Sequence, residues 1–94
     1  MKFLRELSKY YEICIFTAAL KDYADFIINA IDKEGCISHR LYRDHTHFKN
    51  GTYLKDLSKL GRDLTKTIII DNIEENFSEQ HENGICIKSW YSNP

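Results

Sequence analysis

Thr67-Ile68-Ile69-Ile70-Asp71-Asn72 is the stretch on which the fold turns. Three β-branched isoleucines behind a threonine make it the most strand-prone run in the chain. Apolar residues at consecutive positions suit a strand buried on both faces of a parallel sheet. The run ends in a carboxylate and an amide. Ile13-Cys14-Ile15-Phe16 has the same character and also ends in a polar group, Thr17.

Working outward, the periodicity changes from that of strands to that of helices. Phe3, Leu4, Leu7 and Tyr11 share one side of a helix predicted over residues 2–10, with Lys2, Arg5, Glu6 and Lys9 opposite. Tyr23, Ala24, Ile27, Ala30 and Ile31 predict a second helix over 20–32, with Lys33 in its last turn and Gly35 as its stop. Residues 37–43 alternate as a strand. His47-Phe48-Lys49 and Thr52-Tyr53-Leu54 flank Asn50-Gly51, the strongest short hairpin signal because both turn positions need positive φ. A short helical piece is expected around Leu57 and Leu60, a loop or short helix after Asn72, and a last strand over Gly84–Ile87. Strands separated by helical pieces predict an α/β fold with a mostly parallel sheet.

With 94 residues and 11.1 kDa, the chain holds one domain at most. Hydrophobic residues at 43% and charged residues at 29% are an ordinary globular mix, which argues against disorder. A net charge of −1 leaves no basic footprint for nucleic acid and no field toward a membrane surface. No apolar run reaches the ~20 residues that cross a bilayer. The charged N-terminus does not read as a secretory signal, so the sequons at Asn50 and Asn76 are read as chance. Cys14, Cys36 and Cys86 are an odd, scattered set that fits reduced thiols and an intracellular setting.

Ligands of open α/β sheets bind at the carboxyl ends of the strands. Thr17 stands at one such end and Asp71-Asn72 at another. A hydroxyl there can donate to a phosphate oxygen, a carboxylate can ligate Mg²⁺, and Lys55 could neutralise phosphate charge. The plainer alternative is that a strand must end in something polar.

The residues also carry a resemblance. Ile15-Phe16-Thr17-Ala18, Lys21-Asp22-Tyr23-Ala24-Asp25, His39-Arg40-Leu41-Tyr42-Arg43, Phe48-Lys49-Asn50-Gly51, the run Lys55 to Leu64, Ile68 to Asn72, Glu82-Asn83-Gly84-Ile85 and Lys88-Ser89-Trp90-Tyr91 occur in the order of one family. The chain resembles the small C-terminal-domain phosphatases, or NLI-interacting-factor-like domain, of the haloacid dehalogenase superfamily over nearly all of residues 1–94. The resemblance implies a haloacid-dehalogenase-like (Rossmannoid) parallel sheet with flanking helices and a β-hairpin insertion. It implies hydrolysis of phosphoserine and phosphothreonine through an aspartyl-phosphate and Mg²⁺, typically on the C-terminal tail of RNA polymerase II in the nucleus. It makes Lys55 and Asn72 catalytic-site residues, Thr17 and Arg43 phosphate-binding residues, and Asp71 a metal ligand.

The departures bear on activity. No Asp-x-Asp occurs in the chain, whereas the family carries Asp-x-Asp-x-Thr on its first, central strand. The expectation is a partial domain over 1–94 that lacks this strand and the closing helix, from a truncated gene model or a partial copy, and that is inactive alone with weak or no Mg²⁺ binding. Ile73-Glu74 stand where the family usually has Ser-Pro, and Phe26 where proline is common. A zinc site at Cys36, His39, His45 and His47 is disfavoured, because His-x-His on an extended segment points two ways. Glu74, Glu75, Glu79 and Glu82 read as a solvated face, His81 has no evident partner, and the six tyrosines read as core and rim aromatics. A second class stays open: the non-enzymatic, presequence-binding receptor domain of the mitochondrial inner-membrane translocase, fifty-kilodalton subunit type. Phe16-Thr17-Ala18 and Asp71-Asn72 favour the phosphatase.

Overall fold

The computed structural model describes residues 2–88, so Ser89, Trp90 and Tyr91 of the resemblance lie outside the described residues. The chain forms two compact units, one through His45 and one from Thr46 onward.

The first unit is a βαβ unit preceded by a short helix. Helix α1 is Lys2–Ser8, with Leu4 buried and with Tyr10 and Tyr11 N–H groups both turning back to Leu7 O. Strand β1 (Cys14–Phe16) runs parallel to β2 (His39–Leu41), with Ile15 opposite Arg40. Helix α2 (Lys21–Ile31) makes the crossover and buries Ala24 and Ile28 against Tyr42, with Ile15, Ala19 and Ile37 around them. That core is shallow: Cys14 is exposed and Ile15 and Phe16 are only half-buried, so β1 is not covered on both faces among the described residues.

Two boundaries in this unit differ from the sequence reading, and side chains explain both. Helix α2 stops at Ile31 because Asp32 caps it: the Asp32 N–H still reaches Ile28 O, while its carboxylate accepts from Cys36 N at 2.8 Å and Ile37 N at 2.9 Å. Lys33 therefore lies beyond the helix, and Gly35 at φ 70 completes the turn rather than starting it. The Asp32 bonds also hold residues 36 and 37 out of the ladder. At the other end of β2 the Tyr42 N–H goes to His45 Nδ1 at 3.0 Å, which shortens the strand to three residues.

In the second unit β3 (His47–Lys49) and β4 (Thr52–Leu54) pair antiparallel, with Asn50 at φ 52 and Gly51 at φ 79 between them. Phe48 and Tyr53 stack across the pair at 4.7 Å. Strand β5 (Ile69–Asp71) is parallel to β6 (Gly84–Cys86), joined by a kinked 3-10 segment, Glu74–Asn83. The unit buries Leu54, Leu57 and Phe77. Phe77 lies so close over Gly84 that an added Cβ would meet its ring at 2.1 Å, so only glycine fits there without displacing the ring.

β5 starts two residues later than the Thr67–Ile70 run suggests. Thr67 caps the preceding 3-10 turn, Leu64–Lys66: its N–H bonds Leu64 O and its hydroxyl bonds Asp63 O. Asp71 is thus the last residue of the strand, not the first after it. Ile68, Ile70, Ile85 and Ile87 stay about half exposed, so this sheet too is covered on one face only by the described residues. The described strands form three two-stranded ladders rather than one continuous sheet.

The cysteines, histidines and aromatics settle into local roles. No disulfide joins Cys14, Cys36 and Cys86, and Cys36 is half-buried. His39 pairs with Glu12 and His81 with Glu74, which supplies the partner the sequence did not reveal. Among the described residues no three His, Cys, Asp or Glu side chains lie close enough to hold a metal ion. Glu74, Glu75, Glu79 and Glu82 are all exposed. Tyr42 is a core residue, whereas Tyr10, Tyr11 and Tyr23 lie open to solvent.

Asp25 ties α2 to β2. It accepts from Lys21 Nζ at 2.6 Å, from Tyr42 Oη at 2.5 Å and from Arg40 Nη1 at 3.0 Å. Lys21, then Tyr42, then Arg40 hold its carboxyl well below the usual carboxylate range, against a smaller push from burial. A depressed folded-state pKa gives stability that is present above the unfolded pKa, about 3.9, and is lost as pH falls toward the folded one. Denaturant unfolding should therefore show a gap between wild type and Asp25→Asn that is constant from pH 7 to pH 5 and narrows below about pH 4. A gap that stays constant to pH 2 would remove Asp25 from the stability of this unit.

Candidate functional site

The chain ends β4 at Leu54 and β5 at Asp71, and these two strand ends deliver Lys55 and Asp71 to each other. Lys55 Nζ donates to Asp71 Oδ2 at 2.6 Å, with both side chains almost entirely out of solvent. An ammonium and a carboxylate withdrawn from water are tolerated only when their remaining bonding capacity is also met. Asp71 Oδ1 accepts from Ile73 N at 3.1 Å, and the Asn76 amide lies within 3.4 Å of both carboxylate oxygens. Burial pushes the Asp71 carboxyl up, but the Lys55 ammonium, the Ile73 N–H and the Asn76 amide outweigh it and leave the group below its usual range.

The backbone around Lys55 is held as tightly. Its N–H donates to Asn76 O at 2.7 Å. Asp56 caps the 3-10 turn Leu57–Leu60 by accepting from Ser58 N at 3.0 Å, and Gly61 at φ 70 closes that turn. Gln80 then bonds both flanking groups, accepting from Leu57 N and donating to Asp56 Oδ1, each at 2.8 Å. Asn72 follows Asp71, and its carbonyl oxygen accepts from Cys86 Sγ at 3.9 Å.

Thr17 and Arg43 belong to the first unit, where they share one corner. The Thr17 N–H bonds Leu41 O at 2.9 Å, and its Oγ1 accepts from Ala19 N at 3.0 Å, which leaves the hydroxyl proton for another acceptor. Arg43 grips the same loop: its Nε donates to Ala18 O at 2.7 Å and its N–H to Ala19 O at 3.1 Å. The structure thus groups the five residues singled out by sequence as Thr17 with Arg43 in one unit, and Lys55 with Asp71 and Asn72 in the other.

Magnesium is a cation that takes oxygen ligands. Asp71 brings one carboxylate, and both its oxygens already accept hydrogen bonds. Among the described residues no two further His, Cys, Asp or Glu side chains lie close enough to hold the ion with Asp71, so they do not make a magnesium site by themselves.

Sequence reasoning missed Asn76, Gln80 and Asp56. Asp56-x-Ser58 is a local capping pattern that could have flagged the third. Nothing local marks Gln80, whose partner Asp56 lies 24 residues away, or Asn76, whose sequence reading was only that of a chance sequon.

The chain is similar in sequence to several known proteins. CTD small phosphatase-like protein 2 of Dictyostelium discoideum is 48% identical over 90 residues, covering 96% of this chain and 16% of that protein. Human carboxy-terminal domain RNA polymerase II polypeptide A small phosphatase 2 is 41% identical over 90 residues, covering 96% of this chain and 33% of that one. Mitochondrial import inner membrane translocase subunit tim50 of Emericella nidulans is 44% identical over 92 residues, covering 98% of this chain and 17% of that one. Its identity falls between those of the two phosphatases, so overall likeness does not separate the two branches. The chain spans no more than about a third of the length of these relatives. The NLI interacting factor-like phosphatase description matches residues 1–94 from end to end, and the chain belongs to that family.

Proposed function

We propose that this chain is the phosphate-holding part of a protein serine/threonine phosphatase whose substrates are phosphorylated tails of the RNA polymerase II C-terminal type. The observation that carries the reading is the buried Lys55–Asp71 pair at two strand carboxyl ends. Phosphoryl transfer is largely a matter of positioning and of neutralising oxygen charge. In this reading the Lys55 ammonium neutralises phosphate while Asp71 keeps it in place. By resemblance the Thr17 hydroxyl and the Arg43 guanidinium are the phosphate-binding groups of the first unit, and in the second Asn72 steadies the Asp71 end. Magnesium enters by resemblance, with Asp71 as one ligand and further carboxylates needed from outside the 94 residues. A nuclear location goes with this reading.

No group in the chain is assigned the attack. The family's attacking carboxylate lies in Asp-x-Asp-x-Thr, and no Asp-x-Asp occurs here. The proposal is therefore that the chain hydrolyses nothing alone and becomes active when a strand bearing that motif is supplied. The second reading, a presequence-binding receptor domain at the mitochondrial inner membrane, draws on the likeness to the translocase subunit. Among the described residues no helix is long and apolar enough to cross a membrane.

Two measurements test the reading. Calorimetry of the 94-residue chain with Mg²⁺ should show no sub-micromolar site, and such a site would contradict the assignment of a single ligand. Fusing an Asp-x-Asp-x-Thr strand ahead of the chain should yield Mg²⁺-dependent hydrolysis of a phosphoserine peptide. Lys55→Ala or Asp71→Ala should then lower kcat by about 10²–10³-fold. Hydrolysis by the unextended chain that survives Asp71→Ala would overturn the proposal, and a fused chain that folds but stays inert would favour the receptor.

A further inference from the structure

Asn76 touches both halves of the buried pair. Its Nδ2 donates toward Asp71 Oδ1 at 3.4 Å and Oδ2 at 3.3 Å, and its carbonyl oxygen accepts the Lys55 N–H at 2.7 Å. The residue is anchored at the start of the 3-10 segment Glu74–Asn83 by its own N–H, which bonds Ile73 O at 3.1 Å. The next residue, Phe77, is 1% exposed and packs hard on Gly84, so the segment cannot slide along the sheet. One turn later Gln80 holds Asp56 and Leu57. Lys55 is therefore fixed at its own main chain and at the two residues that follow it, all from one segment.

The chemistry of the Asn76 side chain suits the position. An amide donates to a carboxylate without adding charge. A second ammonium there would repel Lys55, and a second carboxylate would compete for it. An ion pair alone leaves the long lysine stem several rotamers in which to meet Asp71. The Asn76 contacts, one to the main chain of Lys55 and two to the carboxylate of Asp71, select among them. We propose that Asn76 is a positioning residue that acts through Lys55 and Asp71, holding the ammonium at one place with the N–H bonds not spent on Asp71 left for a phosphate. The role toward phosphate rests on the phosphatase reading; the clamp itself does not.

The test reads Lys55 directly in the 94-residue chain. Amine acylation by an N-hydroxysuccinimide ester is followed by mass spectrometry, with Lys59 and Lys66, both exposed, as references in the same molecule. In wild type Lys55 should react more slowly than either. Asn76→Ala, which keeps the backbone carbonyl but loses the amide, should raise the Lys55 rate relative to the references by tenfold or more. Asn76→Ser, which keeps a short donor, should raise it about threefold. A ratio within twofold of wild type in a folded Asn76→Ala overturns the proposal. If Asn76→Ala equalises all three lysines, as an unfolded unit would, a folded Asn76→Ser decides by the same criterion. Equalisation in both variants also overturns it, because Asn76 would then hold the whole unit and not the pair. No step of the assay needs phosphatase activity. An inert fused chain would leave the clamp standing, and an unmoved ratio would leave the phosphatase reading standing.

Discussion

An ammonium and a carboxylate taken out of water together, Lys55 and Asp71, set the terms for the second unit. Desolvating two charges costs several kcal/mol per ion, and their attraction offsets this only with good geometry and full hydrogen bonding. The surrounding structure supplies both. β4 and β5 end where the two side chains meet, and the 3-10 segment between β5 and β6 brings the Asn76 amide to one and its carbonyl to the other. No buried side-chain polar atom among the described residues is left without a partner. Among the described residues, Leu54, Leu57 and Phe77 are the buried hydrophobic side chains of this unit.

The first unit follows a related logic with a different aim. Asp25, largely buried, gathers Lys21, Arg40 and Tyr42 and thereby locks α2 onto β2. β2 in turn sets Arg43 at its end, and Arg43 holds the loop that closes on Thr17. Stability and the candidate phosphate corner are thus linked through three consecutive residues, Leu41, Tyr42 and Arg43. In both units a polar group stands at the carboxyl end of a parallel strand, the place where α/β folds bind ligands.

Features set by local sequence were legible in advance. Helices α1 and α2 followed from apolar spacing, and the Asn50-Gly51 turn from the need for positive φ at two positions. The resemblance gave Lys55 and Asp71 roles in one site but not their pairing, which joins residues 16 apart that no periodicity connects. Errors clustered where a side chain claims a backbone group. Asp32 ended α2 early and kept residues 36 and 37 from the ladder, and Thr67 delayed β5 by capping the turn before it. The expectation of strands covered on both faces took no account of how few residues are available to cover them, and Ile68, Ile70, Ile85 and Ile87 remain half-open. Asn76 was invisible for a different reason, since its importance lies in contacts that exist only once the 3-10 segment Glu74–Asn83 packs against the ends of β4 and β5.

A double-mutant cycle on Lys55→Met and Asp71→Leu, read by denaturant unfolding of the 94-residue chain, bears most directly on the claim that this pair governs the unit. Each single change leaves one buried charge without its partner and should cost about 3–5 kcal/mol. The two effects should not add: the double variant should fall short of the sum of the single costs by about 2–3 kcal/mol. Single effects that add to within about 0.5 kcal/mol would contradict it, showing that the two charges are held independently and that the surrounding segment, not their contact, determines the structure.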